Sequence, residues 1–159
     1  MLENFENHEF LNGQNFSKIA DVIFAINVPN EDLSDFNIKD HKIITKNNEF
    51  TGLKIKNLEI KNGDVVFCNS NYLSLFFKYL ERLKKITSIT LITSQSDYPV
   101  TKKVFTNRPA SITKWYAVNV AFKNECLIPI PLGLANNYSS KNIRINDLKN
   151  FKFEEVDKE

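Results

Sequence analysis

Four apolar runs of this sequence end in, or close beside, residues that form hydrogen bonds. Asn69, Ser70 and Asn71 follow DVVFC (64–68). Ser94, Gln95, Ser96 and Asp97 follow TLIT (90–93). Asn119 lies near the end of KWYAVNV (114–120), and Pro131, Leu132 and Gly133 follow CLIPI (126–130). Small amides and hydroxyls at such positions suit a pocket that hydrogen-bonds a polyhydroxy ligand. Asp97 adds a carboxylate, the group type that acts as a general base toward a hydroxyl. Plainer readings stay open beside these. Asn69–Asn71 also reads as a helix cap, and SQSD as an Asx-type turn before Tyr98-Pro99. Trp115 reads as a packing residue, and Lys102, Lys103 and Lys114 as a solvated charged face.

The value of these positions depends on the elements that carry them. NGD (62–64) signals a turn, DVVFC a buried strand, and residues 70–86 a helix. Leu73, Phe76, Phe77, Leu80 and Leu83 form its apolar stripe. Ser70 is the predicted N-cap, and Lys84 and Lys85 fall in the predicted last turn, where cations suit the helix dipole. SITLITS (88–94) is a second buried strand. Strand, helix and strand with short connections form a right-handed crossover in a parallel sheet. In such sheets ligands sit beyond the carboxyl ends of the strands. Parallel strands would therefore bring all four polar positions to one rim.

Further strands are predicted at Ile19–Ile26, 42–45, Leu53–Ile60 (with a kink or bulge where the alternation slips at Asn57), 114–120 and 126–130. The prolines at 129 and 131 lie two apart, so both missing N–H donors face one side. The last strand is thus an edge strand, or one leaving the sheet, and Gly133 permits a turn after it. Residues 1–17 read as a short helix or ordered arm. Residues 1–137 form the predicted α/β domain, and 138–159 a charged tail or docking helix.

Composition sets outer bounds. A chain of 159 residues fits one domain with a real core. A formal charge of +2 gives no field for nucleic acid. No apolar run approaches the roughly 20 residues of a membrane span. The polar start MLENFENHEF is not a signal peptide, and Cys68 and Cys126 read as reduced structural thiols, so a cytoplasmic location is expected. CxxC, HExxH and EF-hand spacings are missing, as are GxGxxG and the P-loop, so no metal and no cofactor is expected.

The motifs in order are DVVFCNSNYLSLFFKYL, LITSQSD, KWYAVN and LIPIPLGL. Over roughly residues 62–137 this order resembles the amino-terminal half of exostosin-like and related bacterial glycosyltransferases of the two-domain GT-B architecture. That resemblance implies a Rossmann-like, three-layer domain with a mostly parallel sheet. It implies an acceptor-binding half, its partner half holding the nucleotide-sugar. Carried over, Ser94, Ser96, Asp97, Asn119 and Gly133 line the cleft; Asp97 is the base, while Ser94 and Asn119 orient the sugar. Asn69 and Ser70 join them from the strand-end rule. The sequence runs 26 residues past the Ile-Pro-Leu-Gly segment, so the donor half is expected on a separate chain, or the chain is a remnant of a longer, truncated enzyme. The alternative is a non-catalytic binding or oligomerisation module, with homo-oligomers as its partners.

Overall fold

The structure is a computed structural model and describes residues 13–133. Seven strands form one sheet: β1 (Val22–Pro29), β2 (His41–Lys46), β3 (Phe50–Ile55), β4 (Val65–Asn69), β5 (Ile89–Ser94), β6 (Ile112–Ala117) and β7 (Leu127–Pro129). Their order across the sheet is β2-β3-β1-β4-β5-β6-β7. Neighbours from β1 through β7 pair in parallel. The β2–β3 hairpin joins antiparallel to β1. The architecture is therefore α/β with a mixed, mostly parallel sheet of Rossmann-like kind.

Alternation along the central strands sends side chains to two faces. Val66, Cys68, Leu91 and Trp115 share a core with Leu73, Phe76, Phe77 and Leu80 of α2 (Leu73–Leu80) and Phe105 of α3 (Lys102–Thr106). Phe67, Ile92, Ile26 and Leu53 face the other way, onto Phe16 of α1 (Gly13–Lys18). Each large apolar side chain taken fully from water contributes about 1.5–3 kcal/mol, so the α2–α3 face carries most of the stability. Trp115 anchors it. The indole meets Phe77 edge-on at 5.8 Å and stacks on Phe105 at 6.2 Å. Its Nε1–H donates to Thr93 Oγ1 at 2.9 Å, which satisfies the one polar atom of the ring.

Several predicted boundaries move. β1 starts at Val22, three residues later than expected, because Ile19 belongs to the turn after α1 and is 67% exposed. The strand then runs on through Val28 and Pro29, past the predicted end at Ile26. β3 ends at Ile55, and its irregularity lies in the pairing with β2 between Ile43 and Thr45, not at Asn57. The helix predicted over 70–86 is shorter. Ser70–Tyr72 form one 3-10 turn, α2 ends at Leu80, and Lys84 and Lys85 lie beyond it. Bonds three residues apart, Arg82 N–H to Tyr79 O and Leu83 N–H to Leu80 O, tighten the exit. The cap is Asn69, one residue before the predicted Ser70: its side chain accepts from Asn71 N–H at 2.9 Å. The short helix α3 has no counterpart in the sequence reading; Thr101 caps it by accepting from Val104 N–H.

β7 is the edge strand that the prolines require. Trp115 N–H donates to Cys126 O at 2.8 Å, and Ile130 N–H to Ala117 O at 2.9 Å. The donors at even positions face β6, so Pro129 and Pro131 lie on the side that has no neighbouring strand among the described residues. The predicted tail, 138–159, lies outside the described residues, as does the arm before residue 13.

Candidate functional site

Beyond β1 the chain goes to one side of the sheet, to β2 and β3, and then returns to the other side as β4. The topological switch point therefore falls between the carboxyl ends of β1 and β4, where open α/β sheets take their ligands. Here that crevice is filled. β4 leaves the sheet after Asn69 while β1 continues to Pro29, so Asn27 lacks a backbone neighbour on that side. Gln95, the first residue after β5, reaches across the end of β4. Its Oε1 accepts from Asn27 N–H at 3.1 Å, and its Nε2 donates to Asn27 O at 3.3 Å. A side-chain carboxamide thus occupies the place of a peptide group and completes the ladder of β1.

The neighbours hold this plug. Asn69 Nδ2 donates to both Gln95 O and Gln95 Oε1 at 3.3 Å. Tyr72 OH donates to Asn27 Oδ1 at 2.8 Å. Gly52 of β3 makes room for that hydroxyl. A Cβ there would collide with Tyr72 OH and lie 2.7 Å from Thr45 Cγ2. Gln95 and Asn69 are 7% and 0% exposed. Gln95 adopts φ 64°, a left-handed conformation that costs a non-glycine residue about 1–2 kcal/mol. The surrounding bonds offset that strain.

Past Gln95 the chain turns outward into a shelf. Ser96 Oγ donates to Asn71 Oδ1 at 2.8 Å and accepts from Tyr98 N–H at 3.0 Å. Asn119, itself at φ 54°, donates through Nδ2 to Ser96 O at 3.2 Å. The ends of β4, β5 and β6 are thereby joined through one serine. The bonded atoms leave Asn71 Nδ2 as a donor and Asn119 Oδ1 as an acceptor on exposed residues. The exposed Asp97 carboxylate and the 47%-exposed Tyr98 ring stand on the same turn.

The predicted residues thus divide. Asn69, Ser70 and Ser94 are buried, and Ser70 Oγ donates to Ser94 O at 3.3 Å. Ser94 Oγ is buried with no hydrogen-bond partner among the described residues. Ser96 is half-buried, while Asp97 and Asn119 are exposed on the shelf. Gly133, φ 73°, is exposed just past β7, and Gly63 sits in the turn that enters β4, at the opposite end of the sheet. Gln95, Asn27 and Tyr98 complete the arrangement. Asn27 was findable: it is a lone amide at the end of an apolar run that becomes a parallel neighbour of β4. Nothing in SQSD marks Gln95 as the residue that turns inward.

Other features lie elsewhere. An apolar groove of about 360 Å³ runs over the α1 face between Phe16, Ile19, Ile92, Tyr116 and Ile130. Cys68 is buried, which pushes its thiol well above the ordinary range. His41 Nδ1 lies 2.8 Å from Asn37 O in its own turn. Among the described residues no cluster of His, Cys, Asp and Glu could hold a metal ion, and no helix is long and apolar enough to cross a membrane. Comparison of the chain with protein-family models, with curated proteins and with solved structures found no match in any of the three.

Proposed function

We propose that this protein is a glycosyltransferase-related domain that binds a sugar or glycan acceptor on the shelf formed by Asn71, Ser96, Asp97, Tyr98 and Asn119. One observation carries the reading: the strand-end rim is closed at the switch point and open just outside it. A nucleotide at the switch point would need the space that Gln95 fills. The open shelf instead offers an amide donor, an amide acceptor, a carboxylate and an aromatic ring. Neutral hydrogen-bonding groups beside an exposed ring suit a pyranose, which has hydroxyls at its rim and an apolar C–H face.

In this reading Asp97 takes the proton of an acceptor hydroxyl as that oxygen attacks the anomeric carbon of an activated sugar, and the leaving phosphate departs with the bonding electron pair. The activated sugar is held by a donor half of the GT-B kind, as the sequence resemblance implies. The test is titration of the purified chain with mono- and oligosaccharides and with nucleotide-sugars, read by amide chemical shifts. Saccharide shifts confined to residues 71, 96–98 and 119 are expected. Shifts centred on Asn27 and Asn69 with nucleotide-sugars, or no response to any saccharide, would overturn the reading.

The apolar groove on the α1 face favours a second reading, a homo-oligomeric module without catalysis. Burial of Ile19 and Tyr116 between two copies would remove this exposed patch from water. Sedimentation equilibrium distinguishes the cases: a dimer that Ile19→Asp dissociates supports assembly, and a monomer at all concentrations removes it.

A further inference from the structure

We propose that Gln95 is the positioning residue of the shelf, acting through its carboxamide rather than by touching the ligand. This rests on the sugar-binding reading and adds the residue that would set the geometry of the site. The two polar ends of the side chain pair with the N–H and C=O of Asn27, at 3.1 and 3.3 Å, as a neighbouring strand would. With the side chain held at its tip and the backbone carbonyl held by Asn69, the residue is clamped at both ends. That clamp fixes φ at 64°, and this backbone angle decides where the next residues go. Ser96 is the next residue, and it bridges Asn71 and Asn119 through its hydroxyl and its carbonyl. The orientation of all three shelf amides and hydroxyls is therefore transmitted from β1 through one buried side chain. Gln95 is too deeply buried to meet a ligand on the shelf, so it acts only through position.

The chemistry of the left-handed backbone makes the idea separable from simple stability. Gln95→Gly removes the carboxamide but accepts a positive φ without strain. Gln95→Asn tolerates the same backbone but is one methylene too short to reach Asn27, and it serves if the glycine variant does not fold. Ile112→Val, at the far end of β6, is the control for mild loss of stability.

The full chain is examined by residual dipolar couplings of the Ser96, Asp97 and Tyr98 amides and by titration with the saccharide that binds wild type best. The expected result is altered couplings at all three residues and a loss of at least tenfold in saccharide affinity for Gln95→Gly, with neither change in Ile112→Val. Wild-type couplings at 96–98 in the Gln95 variants would overturn the proposal, because the backbone would then hold its course without the clamp. If wild type binds no saccharide, the sugar reading falls alone. The couplings still decide whether Gln95 sets the shelf.

Discussion

Asn69 and Asn71 are two residues apart and carry the same carboxamide, yet they belong to different regions. Asn69 is buried, and its side chain is committed at both ends, to Asn71 N–H and to Gln95. Asn71 is exposed and gives only its oxygen, to Ser96. The same contrast separates Gln95 from Asn119. Both have positive φ, but one seals the crevice while the other stands on the shelf. The inner part of the rim uses amides as substitute backbone, and the outer part displays them. Residue type cannot separate these roles. What separates them is where β4 leaves the sheet relative to β1.

If the contrast is right, changes in the crevice cost stability, and changes on the shelf cost binding alone. The largest expected effect is at Gly52. Gly52→Ala pushes a methyl into the Tyr72 hydroxyl and should cost about 2–3 kcal/mol in urea unfolding. The double variant with Tyr72→Phe should cost less than the sum of the two single changes, because the colliding oxygen is gone. Strict additivity would show that Gly52 matters for some other reason. Asn69→Ala comes next. It removes the cap and uncovers Gln95 O, for an expected loss of about 2 kcal/mol by the same measurement.

On the shelf, Asp97→Asn and Tyr98→Ala should change stability by no more than about 0.5 kcal/mol, while isothermal titration shows saccharide affinity falling tenfold or more. A comparable loss of stability there would break the distinction between the two regions. The smallest effect has the opposite sign. Ser94 Oγ is buried and has no hydrogen-bond partner among the described residues, so Ser94→Ala removes an unmet desolvation cost and should be neutral or stabilising by up to about 1 kcal/mol. Thermal unfolding of that variant checks whether the hydroxyl lacks a partner: a destabilised protein would mean that it has one. Loss of saccharide binding with stability unchanged would return Ser94 to the site.

The legible parts of the fold were those fixed by local chemistry. The β4–α2–β5 unit is written in two short apolar runs and a helical stripe, and the stripe from Leu73 to Leu80 packs as its spacing requires. The edge position of β7 follows from two prolines and needs no knowledge of the neighbours. The shorter α2 was less legible because its continuation, ERLKKI, has good helix formers on a surface where tight turns compete. The strand-end rule brought Ser96, Asp97 and Asn119 to a shared shelf. It did not separate them from Asn69 and Ser94, because burial there depends on Gln95 crossing the end of β4 to reach Asn27. That contact spans 68 positions in the sequence, and no short motif encodes it.

The prolines of β7 bear on how copies of this domain can meet. A sheet has two edges, and strand addition needs a row of N–H donors on each partner. On β2 such a row exists, beside the exposed Ile43 and flanked by Lys42 and Lys46. On the outer side of β7, Pro129 supplies none, and Pro131 continues the gap. Joining β2 of one copy to β7 of the next would propagate without end; joining β2 to β2 closes after two. With one edge silenced among the described residues, strand addition would favour a finite pair over an open-ended fibre.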